Sequence, residues 1–355
     1  SSAMRYASVW FEGSYAKILF KDAKISSQRI SEILRVLGEE GILRKFFHSY
    51  ISSFGKGEGV IIDTTALPNQ SRLPFSAWGY NDGGIEKQIK LLFVVDRRSS
   101  LPLYFRYLAG NLLDVSTLTN TIEELKRMGI KTSFVLLDAG FFSKENIEGL
   151  NREGIEYLIR LPSSRKLYKE LIMEEGGKLE RYENAVRYGK RALFIKEREV
   201  GVYGDAGYAY IVLDPERKGR EIKEVLIEAM EEGDEGDIDY KLKKQGVMIL
   251  LSSFRIRKEE VVPYYYLRQK VETLFGYSKD DLQMIPLRIH KEETMRGYLL
   301  LMFITLVVFM KLKGEIGERW TVEEILLNMR NMKCKVYDRE VLVQESTKEQ
   351  KEILK

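Results

Sequence analysis

One segment near residue 270 combines an acid, two bases and a phenol at a spacing that suits chemistry on phosphate esters. At about 100° per residue, four side chains fall within about 60° of one another on a helix: Tyr265, Arg268, Glu272 and Lys279. A ladder of surface salt bridges requires only the charged side chains, whereas here a tyrosine lies on the same helix face as the charged residues. A solvated charged face is the alternative interpretation, and residues earlier in the chain decide between the two.

Two aspartates earlier in the chain each follow an apolar run that predicts a buried strand. Asp63 ends the run 59–62, and Asp138 follows the run 132–137. An acid at the carboxyl end of a strand lies at the edge of the sheet, where α/β sites usually occur. An aspartate that starts a turn is the common alternative. If the two strands are neighbours, their carboxylates converge, and a helix packed across the sheet can bring Glu272 to them.

The composition narrows the chemistry that such a cluster could support. The chain has 355 residues with two histidines and one cysteine, which disfavours a histidine metal site and any disulfide framework. Three crowded carboxylates repel one another unless cations are present, and their oxygen atoms suit Mg²⁺ or Mn²⁺. Two such ions support in-line phosphoryl displacement. Arg268 and Lys279 would then hold neighbouring phosphates, and Tyr265 would bind a phosphate oxygen or orient Glu272.

The elements that must position these residues alternate between strands and helices. Strands are predicted at 59–62, 88–95, 101–108, 132–137 and 157–161, with helices before and after the fourth strand. The first three strands would pair as an antiparallel meander, and the later two would extend the sheet through helical crossovers. This predicts an α/β fold with a ribonuclease H-like mixed sheet flanked by helices.

A change in composition after residue 162 predicts a β-rich subdomain inserted into that core. We therefore expect an N-terminal helical and basic segment (1–57), the first part of the core (58–162), the β-rich insertion (163–245), the second part of the core with the Glu272 helix (246–335) and a C-terminal tail (336–355). The longest apolar run, 298–310, is too short to span a bilayer. No secretory signal is visible, so we expect a cytoplasmic protein.

The net charge of +4 is modest, but contacts with DNA need only a local basic face. The insertion supplies a candidate face in five basic residues: Arg187, Lys190, Arg191, Lys196 and Arg198. Plain solvation of these charges is the alternative.

In order along the chain, these motifs resemble those of the DDE transposases of prokaryotic insertion sequences, in the insertion-sequence-four superfamily. The spacing Tyr-x2-Arg-x3-Glu-x6-Lys from Tyr265 to Lys279 is similar to the signature of that superfamily. The Asp63-Thr-Thr motif resembles its first-aspartate strand, and 137–143 resembles its second-aspartate segment. The superfamily more often has a tyrosine where Phe141 or Phe142 stands. The resemblance extends over about 26–312.

The resemblance implies that Asp63, Asp138 and Glu272 are catalytic and hold two Mg²⁺ or Mn²⁺ ions, with Tyr265, Arg268 and Lys279 on DNA phosphates. It implies cleavage of double-stranded DNA at the terminal inverted repeats of a transposon, then strand transfer into target DNA. It also implies a homodimer that works in the prokaryotic cytoplasm, on the nucleoid. In some members an aromatic residue of the insertion helps to flip a base; the candidates here are Tyr182, Tyr188, Tyr203 and Tyr208.

Two other functions stay open from the sequence. One is a ribonuclease H-like nuclease that cuts DNA without joining it, and the other is a non-catalytic, DNA-binding transposase relic. The presence of all three acids and Lys279 in one chain argues against the relic. It does not separate cutting from joining, which requires an assay for covalent strand transfer.

Overall fold

Strands and helices alternate through most of the chain. The computed structural model describes residues 6–53, 59–69, 73–81, 84–111, 117–130, 132–232, 238–276, 289–316, 319–337 and 340–354. The strands are β1 Val60–Pro68, β2 Ala77–Asn81, β3 Gly84–Asp96, β4 Pro102–Ala109, β5 Phe134–Leu137, β6 Glu156–Arg160, β7 Ala185–Tyr188, β8 Arg191–Val202, β9 Asp205–Leu213, β10 Val247–Ser252, β11 Cys334–Val336 and β12 Val341–Val343. The helices are α1 Ala7–Glu12, α2 Ala16–Leu19, α3 Ser27–Leu37, α4 Glu40–Ser52, α5 Leu118–Arg127, α6 Lys144–Arg152, α7 Lys166–Glu175, α8 Pro215–Glu232, α9 Ile238–Lys243, α10 Lys258–Tyr266, α11 Gln269–Gly276, α12 Glu292–Ile316, α13 Val322–Arg330 and α14 Lys348–Ile353.

The middle of the sheet has the predicted order. The neighbouring strands run β4–β3–β1–β5–β6. β3 is antiparallel to both β1 and β4, whereas β5 is parallel to β1 and β6 is parallel to β5. The chain passes from β4 to β5 through α5 and from β5 to β6 through α6. An antiparallel meander followed by two parallel crossovers is the ribonuclease H-like arrangement, so the predicted fold class is confirmed.

The strands of the predicted insertion, β7 to β9, are joined to this sheet by β10, which belongs to the predicted second part of the core. β10 is antiparallel to β6, and β9, β8 and β7 follow it in turn, each antiparallel to its neighbour. In the described part of the chain, β1 to β10 therefore form one mixed sheet. The sheet is continuous across residues 163 and 245, and the division of the chain into domains stays a prediction.

The core beneath the meander is aromatic and is closed by α12. Phe303 of α12 is buried and lies within about 5–6 Å of the rings of Phe47, Tyr50 and Phe105. α12 crosses α3 where Gly38 meets Gly297. A Cβ on Gly297 would lie 1.8 Å from a carbonyl oxygen of α3, so only glycine fits there.

The helix boundaries follow local capping signals. Ser26 accepts a hydrogen bond from the backbone amide of Arg29 and caps the start of α3, and Gly38 is the C-cap. Ser143 accepts from the amide of Asn146 and starts α6 five residues after Asp138. Within the residues described, no helix is long and apolar enough to cross a membrane.

Candidate active site

The register between β1 and β5 brings the two aspartates to the same level of the sheet. Val60 pairs with Val135 and Ile61 with Leu136 in parallel. Asp63 and Asp138 each lie two residues beyond Ile61 and Leu136. Neighbouring strands are about 4.8 Å apart, and side chains alternate between the two faces of a sheet. Asp63 and Asp138, at equivalent positions beyond the paired residues of β1 and β5, therefore lie side by side.

One detail of the predicted position of Asp63 is wrong. β1 does not end at Asp63 but continues to Pro68, paired with β3 over its whole length. What ends near Asp63 is the pairing with β5, because β5 stops at Leu137. The expected convergence of Asp63 with Asp138 still occurs, since it depends on the end of the shared ladder.

The predicted helix that carries Glu272 is interrupted. α10 ends at Tyr266 and α11 begins at Gln269. Between them, the amides of Leu267 and Arg268 donate to carbonyl oxygens three residues back, as in a 3₁₀ turn. One continuous helix through Tyr265 and Glu272 is therefore a wrong prediction, because the helical spacing of Tyr265, Arg268 and Glu272 that suggested it continues across the break. Lys279 lies outside the described residues.

Arg268 lies at the centre of the site. Its Nη1 is 2.8 Å from Oδ2 of Asp63 and 3.4 Å from Oδ2 of Asp138. Its Nη2 is 2.6 Å from Oε1 of Glu272. One guanidinium group therefore binds all three candidate acids, which come from β1, the end of β5 and α11.

The acids differ in their exposure to solvent. The side chain of Asp63 is 9% exposed, that of Asp138 is 35% exposed and that of Glu272 is 50% exposed. Burial raises the pKa of Asp63 to about 7; Arg268 acts in the opposite direction, and the charges of Asp138 and Glu272 reinforce the rise. Burial also disfavours the charge of Arg268, but the surrounding carboxylates outweigh it and raise the Arg268 pKa.

Tyr265 completes the cluster on the α10 side. Its hydroxyl donates a hydrogen bond to Oδ1 of Asp138 at 3.0 Å. The guanidinium carbon of Arg268 lies 5.8 Å from the centre of the Tyr265 ring. Burial, together with the negative charge of Asp138, raises the pKa of the Tyr265 hydroxyl, so it remains a donor. Five of the six predicted site residues are therefore in mutual contact or share Arg268 as a partner.

The donor atoms fit an oxygen-preferring divalent cation. The cluster offers three carboxylates and already surrounds a positive group, as a cation site would. In the described residues, no three side chains among His, Cys, Asp and Glu are arranged to hold a metal ion by themselves. The three carboxylates bind the guanidinium instead.

A tyrosine stack connects the site to the insertion. Tyr266 follows Tyr265, and its ring is stacked on that of Tyr188, with centroids 5.4 Å apart. The guanidinium carbon of Arg191 lies 5.7 Å from the centre of the Tyr188 ring. Sequence reasoning named Tyr188 but missed Tyr266, although the run of three tyrosines at 264–266 could have indicated it.

The other candidate aromatics of the insertion lie elsewhere. Tyr182 is 96% exposed just before β7. Tyr203 lies in the β8–β9 turn with a φ of 51°, beside the Phe142 ring at 5.8 Å. Tyr208 is half-buried within β9.

The basic residues of the insertion are largely engaged within the protein. Lys196 and Arg198 both bind the buried carboxylate of Glu175. Arg191 binds Asp214 at 3.0 Å, and Arg187 donates to the carbonyl oxygen of Gly189. Lys196 and Arg198 therefore stabilise the insertion through their ion pairs with Glu175. The exposed bases of the predicted face are Arg187, Lys190 and Arg191, at the β7–β8 turn.

Comparison with known proteins assigns the family. Residues 54–308 match the family model described as transposase DDE domain, which is well over half of the chain. The chain therefore belongs to the transposase DDE domain family, whose members generally use divalent metal ions. No curated protein matches the chain significantly.

Two solved transposase complexes resemble the chain distantly. One is the cryo-EM structure of the piggyBac transposase synaptic complex with hairpin DNA, at 15% identity and a TM-score of 0.49, over 93% of this chain and 64% of that one. The other is the Drosophila P element transposase strand transfer complex, at 11% identity and a TM-score of 0.20, over 85% of this chain and 70% of that one. The chain thus spans less than two thirds of the piggyBac chain.

Proposed function

We propose that this chain is a DNA transposase of the insertion-sequence-four type, which cleaves transposon ends and joins them to target DNA. One observation carries the proposal: three acids from separate elements converge on one point beside Tyr265 and Arg268, in a chain of the transposase DDE domain family. A structural role of the acids as caps and surface charges would not gather them around a single guanidinium.

Asp63, Asp138 and Glu272 would hold the divalent cations, which we propose to be two Mg²⁺ or Mn²⁺ ions. When bound, such ions supply activation of the attacking oxygen and stabilisation of the leaving oxygen of an in-line phosphoryl displacement. Asp63 is buried within β1 and Asp138 directly follows β5, whereas Glu272 is half exposed on α11. The two aspartates would therefore hold a cation from the sheet side, and Glu272 would hold it from the solvent side.

The remaining residues would bind DNA around the reacting phosphate. Arg268 has the fork geometry for a phosphate and Lys279 is a point charge for a neighbouring one. Tyr265 would hold Asp138 through its hydroxyl. Tyr188 is the favoured candidate for the aromatic that stacks on a base, since it connects to Tyr265 through Tyr266. The partners are double-stranded terminal repeats and target DNA, bound by a homodimer on the prokaryotic nucleoid in the cytoplasm.

The test is an assay with a plasmid that carries the sequences flanking the encoding gene. We expect cleavage and covalent joining by the unaltered chain with Mg²⁺ or Mn²⁺, and loss of both with retained DNA binding in Glu272→Gln. Glu259→Gln, an exposed acid on α10, is the matched control and should remain active.

The outcomes separate the three functions. Cleavage without joining would assign the chain as a nuclease, and binding without cleavage by the unaltered chain would assign it as a relic. Cleavage retained in Glu272→Gln would remove Glu272 from the site.

A further inference from the structure

We propose that Arg268 is a positioning residue that acts as an internal counter-cation, holding Asp63, Asp138 and Glu272 together until divalent cations displace it. The inference rests on the proposed function, because it concerns the step before the site is loaded with metal. It assigns Arg268 a role that contact with a DNA phosphate alone does not provide.

The first observation is the sharing of oxygen atoms. The guanidinium contacts Oδ2 of both Asp63 and Asp138 and Oε1 of Glu272. The other oxygen of each aspartate already accepts a hydrogen bond: Oδ1 of Asp63 from the Thr64 amide, and Oδ1 of Asp138 from the Tyr265 hydroxyl. A divalent cation held by both aspartates would therefore compete with Arg268 for their carboxylates.

The second observation is the balance of charge. With all three carboxylates ionised, the single guanidinium leaves a net charge of −2 in the cluster. One positive group thus reduces the repulsion among the acids but does not neutralise it, and the remaining negative charge still attracts cations. The arginine side chain is 15% exposed, so water contributes little to screening these contacts.

The third observation is the position of Arg268 in the chain. It lies in the turn between α10 and α11, outside both α-helices. A long side chain on a junction can move away from the acids without unfolding either helix. Once displaced, the guanidinium of Arg268 would be free to bind a DNA phosphate. Arg268 would then bind first the three carboxylates and afterwards the phosphate.

The experiment measures Mn²⁺ affinity by calorimetry, without DNA, in the unaltered chain and in Arg268→Met. We expect Arg268→Met to bind Mn²⁺ about tenfold more tightly or better, because the ion no longer displaces a charge-assisted hydrogen bond. Arg268→Lys keeps the charge and should stay close to the unaltered chain. Arg296→Met is the matched control: this arginine is 13% exposed and binds Glu292 at 3.1 Å, away from the cluster, so its loss should leave Mn²⁺ affinity unchanged.

A second measurement keeps the inference testable if Arg268→Met does not fold. In the unaltered chain, Mg²⁺ should change the side-chain ¹⁵N signal of Arg268, which is identified by its disappearance in Arg268→Lys. An unchanged signal at saturating Mg²⁺ would overturn the inference.

The failures of the two proposals are distinguishable. Equal or weaker Mn²⁺ binding by Arg268→Met, with binding lost in Asp63→Asn, would overturn the counter-cation role and leave the proposed function intact. Absence of Mn²⁺ binding in every variant, the unaltered chain included, would overturn both.

Discussion

Replacing Asp63 by Asn should make the chain relatively more stable as the pH rises, because the buried carboxyl group retains a proton that the unfolded chain releases. Burial raises the pKa of Asp63 from 3.8 to about 7, against the opposing effect of Arg268. The folded state therefore binds more protons than the unfolded state between these two values. The contribution of Asp63 to stability is fully present below pH 3.8 and is lost as the pH rises through 7.

The size of this effect follows from the difference between the two pKa values. A difference of about three pH units corresponds to about 4 kcal/mol over the whole range, at about 1.4 kcal/mol per unit. Between pH 5 and pH 8, the loss is about 3 kcal/mol. The Asp63→Asn variant also loses a charged partner of Arg268, and this loss is present at every pH. The informative quantity is therefore how the stability difference between the variant and the unaltered chain changes with pH.

The assay is urea denaturation of both chains at pH 5, 6, 7 and 8 in a chelator, so that no divalent cation competes with the proton. Ile62→Val removes one buried methylene beside Asp63 and no titratable group; it should cost about 1 kcal/mol equally at every pH. If the difference in unfolding free energy between Asp63→Asn and the unaltered chain did not change with pH, as expected for Ile62→Val, the reasoning would be refuted.

Two further predictions concern packing and a buried ion pair. Gly297→Ala should destabilise the chain by several kcal/mol, since its Cβ would lie 1.8 Å from a carbonyl oxygen, whereas Gly314→Ala on the same helix meets nothing within 4 Å and should be neutral or stabilising. Equal melting temperatures would disprove this helix crossing. Glu175→Ala should cost about 2–3 kcal/mol, because it removes a carboxylate that is 2% exposed and binds both Lys196 and Arg198. Glu174→Ala, which removes a 58% exposed carboxylate, should cost less than about 1 kcal/mol, and similar urea midpoints for the two variants would contradict the role of Glu175.

Local patterns were sufficient to predict the strands of the meander and the two crossover strands, with their order. The apolar runs at 132–137 and 157–161 correspond to β5 and β6, and the predicted strand 101–108 corresponds to β4. Ser26 and Gly38 bound α3 as the capping rules predict. These features depend on a few neighbouring residues, so a single sequence contains the information.

The contacts of the site could be predicted only in part. The pattern placed Tyr265, Arg268 and Glu272 on one helix face, but the helix is interrupted at Arg268. It suggested a phosphate as the partner of Arg268 but did not indicate the contact with Asp63, which lies 205 residues earlier in the chain. Periodicity reports which residues share a face and says nothing about which distant charge meets that face. The way β7 to β10 extend the sheet was also not predictable, because backbone hydrogen bonds at a strand edge leave no side-chain pattern.

The register of β1 against β5 is the feature on which the site depends most. Val60, Ile61, Val135 and Leu136 form that pairing and are all buried. A slip of one residue would turn buried apolar side chains to the opposite face, so burial strongly specifies the register. The same pairing brings Asp63 level with Asp138. The apolar residues that stabilise the sheet therefore also determine the separation of the two acids, and Arg268 offsets part of the repulsion that this separation creates.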